Sequence, residues 1–269
     1  MEKVMDYSSS NLTNSCVNNA FVQTIYNGNG FSTQLKLSET DLETFRTMIR
    51  MQWLYRLQLL APKEINQFDK IGIERYHELS HLIDHAKAWP KTSRVLPKEA
   101  VAIVRKMDFF NQLEMEFGDI LIADEERLGW ENVYWRLVRP GNADFGSFHT
   151  ENWFVQLGYY GTEINDLTRE KVKIWISIHS TPGKNGLMIV PNSHHRTDWK
   201  WHVEERNGQK KPVIDEDVTK LDAKLLSTEP GRAVVFHYDL IHGGAENLAN
   251  STRVSVEFTF LVRKKNIYQ

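Results

Sequence analysis

The sequence predicts an α+β fold in which a helical first part braces a mainly β core. Two observations carry this prediction. In roughly the first 110 residues, apolar side chains recur at steps of three and four, the spacing that gives a helix one buried face. From residue 133 onwards, short runs rich in β-branched and aromatic residues are separated by turn-forming residues. Helices followed by many short strands favour a β-sandwich or barrel supported by helices.

The helical part divides into three predicted helices after an irregular leader at 1–29. Ser38-Glu39-Thr40-Asp41 resembles a capping box and predicts a helix start, and Pro62 ends that helix. Its expected buried face consists of Leu42, Phe45, Ile49, Trp53, Leu57 and Leu60. A second helical pattern covers about 64–88, with a break allowed at Gly72, and a third covers 99–110.

Several segments have the composition of strands. The predicted strands are 30–35, 133–138, 153–160, 172–179, 186–190, 233–237 and 253–262. The polar stretch at 194–230 is expected to be a long excursion from the core. We therefore expect one domain over 1–269, with helical support at 30–132 and a barrel at 133–262.

Composition narrows the functional class. Lys and Arg total 33 and Asp and Glu total 35, so the formal charge of -2 gives no reason to expect nucleic acid or an anionic membrane as partner. A single cysteine, Cys16, cannot form an internal disulfide, which favours a reducing compartment. The N-terminus has no apolar run of the signal-peptide type, and no stretch is long and apolar enough to span a bilayer. We expect a cytoplasmic protein with a small-molecule substrate.

A metal-binding pattern lies at His149-Thr150-Glu151. If this segment is extended, period-two alternation places the imidazole of His149 and the carboxylate of Glu151 on one face. The best third ligand lies downstream, at His242 in the run Asp239-Leu240-Ile241-His242-Gly243-Gly244. Two histidines and one carboxylate on one face of an iron ion form the ligand set of non-haem Fe(II) oxygenases.

The last predicted strand carries an arginine on its polar face. Arg253, Ser255, Glu257 and Thr259 alternate with the apolar residues Val254, Val256, Phe258 and Phe260. An arginine that points into a barrel needs an anion, because an unpaired buried charge is very costly. A dicarboxylate co-substrate would satisfy it, since guanidinium groups bind carboxylates in a two-pronged manner. An internal ion pair with Glu257 is the purely structural explanation.

These motifs occur in an order that resembles a known family over roughly residues 30–262. The matching pieces are Gly30-Phe31, His149-Thr150-Glu151, Trp175-Ile176-Ser177-Ile178, Asn185-Gly186-Leu187, Pro191-Asn192-Ser193-His194, Pro230-Gly231-Arg232-Ala233-Val234-Val235-Phe236, His242-Gly243-Gly244, Asn247 and Arg253. The chain resembles the phytanoyl-CoA dioxygenase family of Fe(II)- and 2-oxoglutarate-dependent oxygenases. Two departures stand out: Glu151 replaces the usual aspartate, and Asn192 replaces a glycine whose backbone geometry asparagine also tolerates.

The resemblance implies a double-stranded β-helix and a role for each matching residue. His149, Glu151 and His242 would ligate Fe(II), Arg253 would pair with the distal carboxylate of 2-oxoglutarate, and Ser255 would add a hydrogen bond. Trp175 would lie near the co-substrate, with Arg136 as a further candidate there. Dioxygen would be consumed and succinate and CO2 released. Because Glu151 supplies a carboxylate and leaves no site for halide, hydroxylation is expected, on a small polar or sugar-like substrate.

A second motif supports a different function. His77-Glu78-Leu79-Ser80-His81 matches the His-Glu-x-x-His pattern of zinc hydrolases, in which two histidines on one helix face bind zinc and the glutamate acts as base. His85 extends the row by one turn. Glu99 has about the separation of a third ligand but lies beyond two prolines, Pro90 and Pro97. A barrel that binds 2-oxoglutarate without catalysis is a third hypothesis.

Two assignments within the predicted barrel stay open at the level of sequence. His237, five residues before His242, competes with it as the third metal ligand. Trp199 and Trp201 could form a lid over the site or anchor the excursion to the barrel.

Overall fold

The computed structural model describes residues 19–159, 166–206 and 209–268. In these ranges the helices come first and the strands follow, apart from one short early strand and one helix next to the metal-binding pattern. The α-helices are α1 (Ala20–Tyr26), α2 (Glu39–Leu60), α3 (Ile65–Ile71), α4 (Tyr76–Leu79), α5 (His85–Ala88), α6 (Lys98–Val104), α7 (Asp108–Phe117) and α8 (Glu151–Gln156).

The longest helix, α2, forms as its sequence predicts. Ser38 has an extended backbone, and its hydroxyl accepts a hydrogen bond from the Asp41 amide at 3.1 Å. The predicted apolar stripe is buried except for the exposed Leu60; its buried members are Leu42, Phe45, Ile49, Trp53 and Leu57. This face packs against the sheet side of one large hydrophobic cluster, which also contains Val254, Val256 and Phe258 from the last strand.

Three helical predictions need correction. The single helix predicted at 99–110 is two helices, α6 and α7. The pattern at 64–88 is a succession of short helices and 3-10 turns, because Gly72 adopts a positive φ of 76° that a right-handed helix cannot contain. The predicted irregular leader contains α1, whose first amides are capped by the Asn19 side chain. The rest of that prediction, at residues 1–18, lies outside the described ranges.

The strands form two main antiparallel sheets and a separate hairpin. Their bounds are β1 (Phe31–Ser32), β2 (Ile120–Ile122), β3 (Tyr134–Val138), β4 (Arg169–His179), β5 (Leu187–Ile189), β6 (Trp201–Arg206), β7 (Gln209–Ile214), β8 (Lys224–Leu225), β9 (Ala233–His237), β10 (His242–Gly244) and β11 (Arg253–Arg263). The larger sheet has the order β1-β9-β4-β11-β2, with β3 also paired to β11, and the smaller has the order β10-β5-β8. The hairpin is β6-β7, inside the predicted excursion.

The last strand has the two faces that its alternation predicts. Val254, Val256, Phe258 and Phe260 are fully buried in the cluster shared with the helices. Arg253, Ser255 and Thr259 are also buried, on the opposite face. Since that face lies away from the helices, its polar side chains point to the interior that the metal-binding pattern also faces.

The segment predicted as a strand at 153–160 is instead the helix α8 and a turn that follows it, with residue 160 outside the described range. Thr150 has an extended backbone and Glu151 is the first helical residue. His149 and Glu151 therefore lie at a junction between extended chain and helix, and not on one face of a regular strand. No helix among the described residues is long and apolar enough to cross a membrane.

Candidate metal and co-substrate site

His149 and His242 lie opposite each other on paired backbone segments. The amide of each residue donates to the carbonyl of the other at 3.0 Å, as an isolated antiparallel bridge. The Glu151 amide donates to the Tyr238 carbonyl at 3.2 Å, which fixes the start of α8 next to this bridge. His149, Glu151 and His242 place one ligand atom each within 4.8 Å of one another, and they are the one such His, Cys, Asp or Glu group among the described residues.

Backbone carbonyls determine which imidazole nitrogen is available for a metal. His149 Nδ1 donates to the Ser147 carbonyl at 2.6 Å, and His242 Nδ1 donates to the Leu240 carbonyl at 2.9 Å. A carbonyl can only accept, so each ring carries a proton on Nδ1, and Nε2 is the nitrogen that can bind a metal. Burial, together with the neighbouring His242, lowers the pKa of His149 to about 3, so this ring is neutral near pH 7.

The third side chain, Glu151, is ionised. Its Oε1 lies 3.4 Å from Lys173 Nζ and 3.4 Å from His242 Nε2. Burial would raise the pKa of this carboxyl, but the Lys173 ammonium and His242 outweigh burial and hold it well below its usual range. Two imidazoles and one carboxylate are the donor set that divalent iron takes in non-haem oxygenases.

Lys173 belongs to a buried charge network beneath this site. It is 1 % exposed, and its ammonium donates to the Tyr134 hydroxyl at 2.7 Å. It also pairs with Glu125 at 3.5 Å, and Glu125 pairs in turn with Lys91 at 3.1 Å. Burial alone would lower the pKa of Lys173, but Glu125 and Glu151 raise it well above its usual value, so the ammonium stays charged.

Arg253 and Ser255 lie further inside, on β11. One Arg253 nitrogen donates to the Gly186 carbonyl, while Arg253 Nε and the Ser255 hydroxyl are buried without a hydrogen-bond partner. In the described part of the chain no carboxylate pairs with Arg253, so the purely structural explanation, an ion pair with Glu257, does not hold. Burial lowers the pKa of Arg253 to about 10, which leaves it charged near pH 7. A buried cation next to an unsatisfied hydroxyl fits a carboxylate ligand.

The two further co-substrate candidates, Trp175 and Arg136, have different neighbours. The Trp175 ring is 2 % exposed, and the Arg253 guanidinium lies 5.9 Å from its centroid. Arg136 pairs with Glu257 at 3.2 Å. Arg136 also lies near His149, because both residues border Gly146. A Cβ atom placed on Gly146 would lie 3.6 Å from Arg136 Nη1 and 3.9 Å from His149 Cε1. Arg136 is therefore close to the metal-binding residues.

Other family-like motifs hold the loops around the site. The Ser193 hydroxyl accepts a hydrogen bond from the Ile241 amide at 2.8 Å, immediately before His242. Asn192 has a φ of 63°, the left-handed conformation expected where the family has glycine. Asn185 donates to the Asn247 side chain at 2.8 Å, and Asn247 in turn donates to the Val138 carbonyl at 2.8 Å.

The zinc-hydrolase prediction is not supported by the structure. The helix α4 ends at Leu79, so His77 and His81 do not lie on consecutive turns of one regular helix. The His77 ring contacts the Thr252 hydroxyl at 3.1 Å, and Glu78 pairs with Arg75 at 2.7 Å. His85 is engaged with the Tyr76 hydroxyl at 2.9 Å.

The structure also resolves the roles of His237 and of the two tryptophans in the excursion. His237 is not grouped with the metal-binding residues: its Nδ1 accepts a hydrogen bond from the Asp239 amide at 3.1 Å. Trp201 stacks on Trp153 of α8 with ring centroids 5.5 Å apart. Trp199 donates to the Ser193 carbonyl at 3.0 Å. Both tryptophans therefore anchor the excursion next to the site.

Sequence reasoning missed the buried network of Lys173, Glu125 and Lys91. Alternation along β4 places Lys173 on the same face as Trp175 and Ser177, so a lysine on the inner face was a visible signal. Its acidic partner Glu125 lies 48 residues away, in a loop whose sequence predicts no particular structure. That pairing could not be inferred from spacing.

The comparisons with known proteins agree with this geometry. Residues 73–255, more than half of the chain, match the model of the family described as phytanoyl-CoA dioxygenase. A comparison with curated protein sequences gives no match. The chain belongs to the phytanoyl-CoA dioxygenase family.

Solved structures show a similar fold at low sequence identity. EvdO2 from Micromonospora carbonacea var. aurantiaca has a TM-score of 0.56 at 15 % identity, with 93 % of this chain and 92 % of that chain covered. The α-ketoglutarate-dependent carbocyclase SnoK, from nogalamycin biosynthesis, has a TM-score of 0.50 at 15 % identity, with 90 % and 83 % covered. EctD from S. alaskensis, solved with 2-oxoglutarate and 5-hydroxyectoine, has a TM-score of 0.50 at 14 % identity, with 88 % and 73 % covered.

Family membership and site together define the class of protein. The chain is a non-haem dioxygenase that depends on Fe(II) and 2-oxoglutarate and uses dioxygen as its other co-substrate. Its fold is the double-stranded β-helix of this family, braced by helices that precede it, as the sequence predicts.

Proposed function

We propose that the enzyme hydroxylates a small polar or sugar-like molecule and releases succinate and CO2. His149, Glu151 and His242 hold Fe(II), and Arg253 and Ser255 hold the distal carboxylate of 2-oxoglutarate beside Trp175. Bound iron supplies the oxidative chemistry that couples decarboxylation of 2-oxoglutarate to hydroxylation. One pair of observations carries the assignment of roles: Arg253 Nε and Ser255 Oγ are buried on one face of β11 without hydrogen-bond partners, and the ligand atoms of His149, Glu151 and His242 lie within 4.8 Å of one another.

The chain's own residues prepare the site for these ligands. The Ser147 and Leu240 carbonyls hold the two imidazole rings through Nδ1, so Nε2 of each ring is the nitrogen that would bind the metal. Lys173 keeps the Glu151 carboxylate charged. Arg253 attracts a carboxylate that is ionised at neutral pH. Binding gives the buried Arg253 Nε, which has no hydrogen-bond partner, a charge-assisted hydrogen bond.

We further propose that the chain is one dioxygenase domain over 1–269, with helical support at 30–132 and a barrel at 133–262. The hydrophobic cluster that supports the site contains Phe45 and Trp53 from α2 together with Val256 and Phe258 from β11. The helices therefore cover the outer face of the same strand whose inner face carries Arg253.

An anaerobic titration tests the proposed roles. Fe(II) and 2-oxoglutarate should produce a metal-to-ligand charge-transfer band in the wild-type protein, and oxygen should then yield succinate. His149→Ala should lose both the band and succinate formation, whereas His77→Ala, placed outside the site, should keep both. Loss of succinate formation in His77→Ala with a normal result for His149→Ala would contradict the assignment.

A further inference from the structure

The hairpin β6-β7 brings a lysine next to the metal-binding residues. Lys211 Nζ lies 5.7 Å from the centroid of the Phe154 ring, and this ring lies edge-on to His149 with centroids 5.0 Å apart. One aromatic ring therefore separates the Lys211 ammonium from a metal-binding imidazole. The hairpin is fixed there because the Ile214 amide donates to the Phe148 carbonyl at 3.2 Å, next to His149.

Within the described part of the chain, Lys211 has no acidic partner. It is half-buried, and among the described residues no carboxylate lies within ion-pair distance of its ammonium. Burial and the cations Arg136, Lys91 and Arg94 lower the pKa of Lys211 to about 8, with Glu126 opposing them. Glu126 already pairs with Lys91 at 2.6 Å. Lys211 is thus half-buried without an acid beside it among the described residues, an arrangement that costs free energy unless an anion joins it.

Arg94 is a second cation of the same kind. Its guanidinium donates to the carbonyls of Trp89 at 3.0 Å and Trp135 at 2.7 Å, and no carboxylate in the described ranges pairs with it. Burial and the nearby Arg136 lower the pKa of Arg94 to about 10. Two backbone carbonyls do not neutralise a guanidinium, so Arg94 adds to the positive potential that surrounds Lys211.

The co-substrate does not account for these two cations. One carboxylate of 2-oxoglutarate is assigned to Arg253 and the other end of the molecule to the metal, so neither the co-substrate nor a described residue supplies an anion to Lys211 or Arg94. We propose that the prime substrate carries an anionic group, a carboxylate or a phosphate, and that Lys211 binds this group with Arg94 nearby. This proposal rests on the proposed function and adds the substrate class.

Anion titrations of the loaded enzyme test the proposal. Wild-type protein saturated anaerobically with Fe(II) and 2-oxoglutarate is titrated with methyl phosphate or with acetate at constant ionic strength. Binding is followed by calorimetry and by the change in the charge-transfer band. We expect saturable binding of at least one probe, and the stronger one identifies the anion class. Lys211→Met should weaken that binding by about tenfold or more, the usual loss for a hydrogen bond to a charged group.

Matched variants distinguish the loss of the positive charge at Lys211 from a general disturbance of the fold. Lys211→Arg keeps the positive charge and should retain binding, while Lys210→Met removes the adjacent exposed lysine of the same strand and should leave binding unchanged. The charge-transfer band before anion addition should be the same in all three variants. A normal band with equal anion binding in wild type and Lys211→Met overturns the substrate class alone. Binding of neither probe to wild type also overturns it, whereas loss of the band in wild type overturns the proposed function.

Discussion

Arg253 is a cation buried without an acid partner among the described residues. Its cost to the folded protein is offset only when a carboxylate enters the space beside it. We expect Arg253→Met to raise the KM for 2-oxoglutarate by about 10- to 100-fold, because a hydrogen bond to a charged group typically contributes about 1.5–3 kcal/mol. Succinate formation over a range of 2-oxoglutarate concentrations measures this change.

The same strand provides a control for Arg253. Arg263 lies at its exposed end and contacts Asp119 at 3.9 Å, far from the buried polar face. Arg263→Met should leave the KM unchanged, and Fe(II) binding should be preserved in both variants. An unchanged KM in Arg253→Met would contradict the co-substrate role.

Lys173 carries a second prediction, because two buried carboxylates depend on its charge. Lys173→Met leaves Glu125 and Glu151 with less compensation, and we expect the free energy of unfolding to fall by about 3 kcal/mol. Urea unfolding of the metal-free protein measures the loss. Adding Glu125→Gln to Lys173→Met should recover part of it; a double variant no more stable than the single one would argue against the charge network.

Among individual residues, the sequence predicts those that belong to a motif and misses those that take part only in a buried charge network. His149, Glu151, His242 and Arg253 are recognisable because spacing and order accompany them. Lys173, Glu125 and Lys211 carry no motif, and the residues that surround them come from distant loops and strands. Only the folded chain determines which buried charges meet.

The strand β10 meets the segment that carries His149 at unusually short range. The Gly244 amide donates to the Gly146 carbonyl at 3.0 Å, and a side chain added at Gly244 would lie 2.8 Å from Phe145 Cβ and 3.1 Å from the Gly146 nitrogen. We expect Gly244→Ala to push the two segments apart, to reduce the free energy of unfolding by about 1–3 kcal/mol and to weaken Fe(II) binding. Unfolding curves and metal titration measure the two effects.

A single result would count against this account of β10. If Gly244→Ala binds Fe(II) as tightly as wild type, the bridge between His149 and His242 does not depend on the close approach of the two backbones.

Helices and strands were predictable from the sequence where a single local pattern, such as helix capping or alternation, determined them. The start and buried stripe of α2 follow from Ser38 and from the spacing of its apolar residues. The two faces of β11 follow from strict alternation. The helix α8 was not predictable from its composition, because Trp153, Phe154 and Val155 favour strands and the helix depends on tertiary contacts such as the stacking of Trp153 on Trp201.

For the whole molecule, buried histidines link stability to pH. Burial lowers the pKa values of His85, His194 and His237 to about 4, well below the value of about 6.5 in an unfolded chain. Between these values the unfolded chain binds more protons than the folded one, so stability falls as the pH decreases from about 6.5 to about 4. Each histidine contributes up to about 1.4 kcal/mol per pH unit in that window.

Urea unfolding of the metal-free protein at a series of pH values measures this dependence. We expect a plateau in the contribution of these histidines above pH 7 and a progressive loss below it. A free energy of unfolding that stays constant or increases on acidification through this window would contradict the prediction.

The reciprocal amide-carbonyl bonds between His149 and His242 have one more consequence. The backbone sets the separation of the two imidazoles, so the cation is not required to draw them together. Stripping the protein with a chelator should therefore leave its circular dichroism spectrum intact, and adding ferrous salt afterwards should restore activity with no refolding delay. The metal-free enzyme would then stay folded and inactive, and its activity would be set by the concentration of available Fe(II).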